Sequence, residues 1–323
     1  MLMHMSLLMD TGDADIANVF ANHFSKVHYQ SGDDLATVEA FRLKRNECFE
    51  QNLNSCSLVG LLDDVTVEEI DKYVRQLKNG KACGPDDLSA ENLKHAHPIL
   101  LMHLKRLFRM ILIHSFVPDS FGMGISIPVL KDKTGSVNDV DNYRAITLSH
   151  VISKLFEAVV ITVCGSALNT DPLQFGFKAN SGCNDAIFSL TSVVKYFNDH
   201  KSSVYIASLD ISKAFDKVSH YKMYNSLLTA GVPLIIVDVL CDWHSKMFCC
   251  VRWNNSISHL FSVGSGVRQG SCLSPVIFNA FMNAFIVNLK SAGIGRHIAN
   301  MFFGCLLYCA FESVRKWLTE YVG

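Results

Sequence analysis

The segment SLDISKAFDKVSH, residues 208–220, decides how the rest of this chain is read. Residues 204–209 are rich in apolar and β-favouring types and read as a strand that ends on Asp210. A carboxylate at a strand end can be held rigidly and aimed at solvent, which suits a metal ligand. The same residue type is common in turns and at helix N-caps, so Asp210 alone is a weak sign. Further along stands GSGVRQGSCLSP, residues 264–275. Its glycines permit close approach of backbone to a ligand. Arg268 and Gln269 can hydrogen-bond a phosphate or a base, and a helix beginning beside the loop adds N–H donors. Taken alone, an ordinary hairpin-to-helix loop has the same composition.

Working outward, the elements alternate without an internal repeat. Residues 15–27 carry Ile16, Val19, Phe20 and Phe24 at helical spacing, whereas residues 36–60 show no clear period. Thr66-Val67-Glu68-Glu69 is a capping box opening a helix with the stripe Val67, Ile70, Val74 and Leu77. Gly84-Pro85-Asp86 marks a turn before a helix carrying Leu100, Leu101, Leu104, Leu107, Phe108 and Ile111. Residues 125–130 read as an edge strand because of Pro128, and residues 144–148 as its return after a polar loop. Buried or amphipathic helices follow over residues 151–163 and 181–198. Beyond Asp210, helices are expected at residues 219–230 and 233–247. Next come a hairpin about Asn254-Asn255, a helix from Pro275 to about residue 289, and a last strand over residues 301–308. Helices clustered around a few strands make the class α+β.

Composition bounds the partners. The net charge of −1 and pI of about 6.9 argue mildly against a nucleic-acid partner, although a basic groove can sit on a neutral protein. The 11 Cys include no CxxC pair, and their odd number favours buried free thiols in a reducing compartment. The opening MLMHMSLLMD has no basic n-region, and the apolar run 155–168 is interrupted by Glu157. Neither a signal peptide nor a membrane span is expected. The expected location is intracellular, nuclear or cytoplasmic, and not secreted.

Together the two opening segments carry more than either does alone. LDISKAFDKV (209–218) resembles the first carboxylate motif of reverse transcriptases of the non-LTR, LINE-type retrotransposons, and GVRQGSCLSPVIFNAFMN (266–283) resembles the glycine-containing motif of the same palm domain. NGKACGPDDLSAENLK (79–94), the stretch 127–157 and QFGFKANSGCNDAI (174–187) also fit, in the family's order. ADIANVFANHFSKV (14–27) looks like the segment that precedes this domain. The resemblance implies fingers and palm subdomains over residues 65–308, an N-terminal segment over 1–64 and a divergent tail over 309–323. It implies an RNA-directed DNA polymerase that uses Mg2+, an RNA template, a DNA primer and deoxynucleoside triphosphates.

Residue by residue, the resemblance makes Asp210 the catalytic metal ligand, with the Ile211 carbonyl also facing the metal. Phe215 falls where a ring crowds the sugar 2′ position. Gln269 and Gly270 match positions lining the nucleotide and template pocket. Lys131 and Arg144 fall in the fingers, where cations contact the triphosphate. Ala145 stands where the family usually has Pro. Asp216 also matches a family position, where a structural role is the simpler reading.

The pattern breaks after FFGCLLY (302–308). The family places two aspartates in a Tyr-x-Asp-Asp turn, and Ala310 and Phe311 occupy those places. Two-ion nucleotidyl transfer needs carboxylates from neighbouring strands. Glu312 lies one residue late, facing the other way along a strand, and Asp216 is a second candidate substitute. The expectation is an incomplete palm without a thumb, truncated at this turn and inactive or nearly so. The alternatives are a non-enzymatic remnant that still binds RNA or primer-template, and an unstable fragment of a decayed element.

Overall fold

The structure is a computed structural model. It describes residues 12–29, 33–53, 63, 65–178, 180–206, 213–291, 296–298 and 301–303. Asp210, Ile211 and residues 304–323, which include Tyr308, Ala310 and Phe311, lie outside the described residues.

The chain begins with α1 (Asp13–His28) and α2 (Leu35–Leu53), followed by α3 (Val67–Gln76), α4 (Ala90–Lys94), α5 (Ile99–His114) and α6 (Asp119–Gly122). Strands β1 (Met123–Leu130) and β2 (Tyr143–Ser149) form a hairpin, and α7 (Val151–Cys164) follows. Then come α8 (Cys183–Asp199), α9 (His220–Thr229) and α10 (Leu234–Ser245). Strands β3 (Phe248–Trp253), β4 (Ser256–Ile257) and β5 (Phe261–Ser262) precede α11 (Leu273–Ser291), β6 (Arg296–Ile298) and β7 (Met301–Phe303). This mixture of helices with a mixed sheet agrees with the α+β expectation.

Local chemistry accounts for several boundaries. Thr66 Oγ1 accepts from Glu69 N at 3.1 Å and caps α3, while Ile70 and Val74 of the expected stripe are buried. Asp87 N donates to Gly84 O in the turn before α4. Helix α2 covers residues in which the sequence shows no period. Phe41 supplies its buried anchor against Tyr221 and Tyr224, and Arg45 pairs with Asp238 of α10 at 2.8 Å.

Two compact units result, each assembled from separate stretches of chain. One holds Met1–Ala167 and Ala214–Ser274; the other holds Leu168–Lys213 and Pro275–Gly323. In the first, the strand order is β2-β1-β3-β4, with β5 also on β3. The β1–β2 pairing is antiparallel and the β1–β3 pairing is parallel. The edge-strand expectation for β1 is therefore corrected, since β1 is an inner strand. Its pairing with β3 ends at Ser126, so Pro128 pairs with Ala145 of β2 and lies beyond the β3 ladder. There a missing N–H is tolerated.

Helix α1 buries Phe20, Ala21 and Phe24 against Tyr143, Met247 and Phe261, so it belongs to this unit's core. A second aromatic cluster joins Phe108, Phe121, Phe156 and Trp243, with neighbouring rings 5.3–6.2 Å apart.

In the second unit, Gln174 is fully buried and donates to Asn279 Oδ1 at 2.9 Å. Asn279 donates in turn to Gly176 O at 2.7 Å. Asp171 N–H donates to Asn283 Oδ1, and Lys290 pairs with the Asp171 carboxylate at 2.5 Å. Residues 202–206 form no strand, which corrects the first half of the strand expected before Asp210. Strand β7 pairs with β6.

Two stretches, Val151–Leu168 and Leu273–Ser291, are helical, long and apolar enough to cross a membrane. Both carry charge, Lys154 and Glu157 in the first and Lys290 in the second. In the first, Leu155, Phe156, Val159 and Val160 are packed into the protein core, which explains its apolarity.

Candidate nucleotide-binding site

The glycine-rich loop lies against residues 215–218 of the first unit. Val267 N–H donates to Phe215 O at 2.8 Å, and Gly266 N–H to Val218 O at 2.9 Å. Ser265 Oγ donates to Asp216 O at 3.1 Å. Gly266 has φ +86°, and a Cβ there would sit 2.6 Å from the carbonyl oxygens of both Phe215 and Asp216. Gly270 has φ +121°, and a Cβ there would sit 2.7 Å from Thr147 O. Only glycine combines this conformation with this closeness. The sequence reading had these glycines making room for a ligand. Two of them make room for the protein's own backbone.

On its other side the loop is bound to the edge of β2, where Thr147 N–H donates to Gln269 O at 2.8 Å. Two histidines hold it from behind. The His220 ring bonds through Nε2 to Gly266 O at 2.8 Å, and a carbonyl only accepts, so Nε2 carries the proton. His28 Nδ1 approaches Ser265 O at 3.1 Å, and Ser265 Oγ donates to His28 O. Burial pushes the His220 pKa below its ordinary value, with the Gly266 carbonyl opposing part of that shift. Neither histidine was singled out from the sequence, because the pattern of residues 14–28 and 219–230 reads only as helix.

Arg268 departs from the sequence reading. It is buried and donates to the carbonyl oxygens of Phe121 (2.9 Å) and Gly122, so it braces the loop instead of reaching for a phosphate. The donors at the start of α11 also have partners within the protein. Ser271 Oγ accepts from Leu273 N and Ser274 N, each at 3.1 Å. Glu157 Oε2 accepts from Cys272 N at 2.8 Å.

Gln269, Gly270 and Phe215 thus come together in one unit. Asp216 joins them, because Gln269 Nε2 donates to its Oδ1 at 2.8 Å. A cavity of about 10 Å3, room for one water molecule, is lined by His28, Thr147, Asp216, Arg268 and Gln269 among others.

Lys131 and Arg144 lie on the β1–β2 hairpin. Lys131 N–H donates to Asn142 O, and Arg144 stands opposite Val129. Opposed residues share a face and side chains alternate, so Arg144 belongs to the face of Val129 and Ile146, while Lys131 follows the end of β1. Both are exposed, and Lys131 Nζ donates to Asp141 O at 2.6 Å. An open groove of about 410 Å3 runs over this face, lined by Ile127, Val129, Ile146, Leu148 and Arg252 among others. Ala145 and Thr147, beside Gln269, occupy the opposite face.

Among the described residues no group of three or more His, Cys, Asp or Glu is placed to hold a metal ion. The expected ligands Asp210 and Ile211 lie outside the described residues.

The model of the family described as reverse transcriptase (RNA-dependent DNA polymerase) matches residues 130–306, more than half of the chain. The chain belongs to the reverse transcriptase family. Its relatives are non-LTR retrotransposon proteins. The Pol polyprotein of the type-2 retrotransposable element R2DM of Drosophila melanogaster is 28% identical over 237 residues, 72% of this chain and 22% of that protein. The RNA-directed DNA polymerase of mobile element jockey of Drosophila funebris is 26% identical over 223 residues, 68% of this chain and 24% of that protein. The probable polymerase of transposon BS of Drosophila melanogaster is 25% identical over 271 residues, covering 82% and 29%. This reverse transcriptase domain therefore spans between a fifth and a third of the relatives it matches.

Proposed function

We propose that this reverse transcriptase domain retains the nucleotide and primer-template contacts of a retroelement polymerase but transfers nucleotides at a trace rate or not at all. The observation that carries the binding half is the union of Phe215, Asp216, Gln269 and Gly270 through the glycine loop. In this reading Gln269 and Gly270 line the pocket of the incoming deoxynucleotide, and the Phe215 ring crowds a ribose 2′-hydroxyl. Lys131 and Arg144 offer charge to the triphosphate from the fingers, and an RNA template and DNA primer are the remaining partners.

The chemical half rests on the donor set. The family's reaction is divalent-metal dependent, and Mg2+ would supply charge neutralisation at the attacking and leaving oxygens. Asp210, with the Ile211 carbonyl, offers one side of such a site. Ala310 and Phe311 carry no side-chain oxygen where the resemblance places the other two carboxylates. The residues present therefore do not fit a complete two-ion site. Loss of that stabilisation lowers the rate by roughly 1000-fold or more.

The test is template-directed deoxynucleotide incorporation with Mg2+ or Mn2+, alongside binding of a labelled primer-template. The expected result is retained binding with incorporation no greater than that of Asp210→Ala. Robust incorporation that disappears in Asp210→Ala overturns the inactive reading. Absence of binding overturns the retained-contact reading.

A further inference from the structure

Asp216 offers a carboxylate close to the proposed nucleotide pocket, and the sequence leaves its role open. The structure ties both ends of one contact to fixed backbone. On one side, Asp216 O accepts from Ser265 Oγ, and its neighbour Phe215 O accepts from Val267 N. The glycine at 266 lets the two chains approach to a distance that no Cβ would allow. On the other side, Gln269 O accepts from Thr147 N, and Gly270 packs onto the Thr147 carbonyl. Between these fixed points Gln269 Nε2 reaches Asp216 Oδ1 at 2.8 Å.

A primary amide has two unlike ends, and a rotation about its last bond exchanges them. An ionised carboxylate only accepts, so it selects the NH2 end. The carbonyl end, Oε1, is then the acceptor that remains for a ligand. Because both backbones are already fixed, little freedom is lost when the bond forms.

We infer that Asp216 is a positioning residue for Gln269, fixing which end of the amide a bound deoxynucleotide meets. This rests on the reading of Gln269 as a nucleotide-pocket residue. It also gives Asp216 a role other than that of a substitute metal ligand.

The chain has glutamine only at 30, 51, 76, 174 and 269, so side-chain 15N labelling of glutamine gives few NH2 pairs. Q269A identifies the pair from Gln269. In the wild-type chain that pair is expected away from the free-glutamine position and protected from exchange. D216A should return it to the free position, and D216N, whose Oδ1 still accepts, should keep it displaced. A wild-type pair already at the free position overturns the inference, whether or not any variant folds. So does a displaced pair that D216A leaves unchanged.

The second readout is dATP, dGTP, dCTP and TTP binding to the complex with primer-template, in Ca2+ to prevent turnover. D216A should weaken binding by about 5- to 10-fold, the effect of one hydrogen bond. In the Q269A background the same change should have no further effect. An equal loss in both backgrounds identifies a merely structural role and overturns the inference. If no nucleotide binds while D216A still releases the Gln269 pair, the positioning stands and the nucleotide-pocket reading fails.

Discussion

At the scale of residues, this domain is organised by atoms that have no room to spare. Gly266 must hold a positive φ, and two carbonyl oxygens lie where they would crowd a Cβ. Gly266→Ala is expected to lower unfolding free energy by about 2–3 kcal/mol, measured by urea denaturation. An unchanged midpoint would show that the loop stands clear of residues 215–216. The glycines were legible in the sequence as glycines, but what they approach was not. A sequence shows that a Cβ is absent, and only the fold shows which atoms would have met it. Arg268 teaches the same lesson in reverse. Its charge suggested a ligand, yet its guanidinium caps the carbonyls of residues 121–122 in the interior.

At the scale of elements, α9 and α10 meet through His220, which is buried, and His244, which is half-buried. The His220 and His244 rings stack with centroids 4.5 Å apart, and Tyr224 Oη lies 2.8 Å from His244 Nδ1. Burial pushes His244 well below its ordinary pKa, and the charges of His220 and Arg268 push the same way. His220 is lowered as well, by burial first. A histidine held neutral binds fewer protons folded than unfolded. Its stabilisation is full above the unfolded value of about 6.5 and is lost as pH falls toward the lowered folded values. Urea midpoints are therefore expected to fall between about pH 7.5 and pH 5.5, and to fall less in His244→Gln. Equal pH sensitivity in the variant would assign the effect to other groups. Most elements were legible because capping and periodicity are local: Thr66 capped its helix as the sequence requires. Helix α2 was not legible, since its main anchors, Phe41 and Arg45, find their partners on α9 and α10.

At the scale of the whole molecule, a net charge of −1 leaves little general attraction for phosphate. Binding of the deoxynucleoside triphosphate should depend on a few cations, Lys131 and Arg144 among them. Each substitution to Ala is expected to weaken triphosphate binding to the primer-template complex by about 3- to 10-fold, with a smaller loss at high salt. An unchanged affinity removes that residue from the triphosphate contacts. The sequence by itself determined the family, the class of fold and the presence of Ala310 and Phe311 where the resemblance expects two aspartates, because motif order and residue identity are properties of the chain alone. Tertiary structure decided the rest. It made α1 part of the first unit's core, turned Arg268 inward, bound the Cys272 N–H to Glu157, and set Asp216 against Gln269. Those outcomes depend on contacts between residues far apart in the chain, and a side chain's partners are fixed only when distant segments pack.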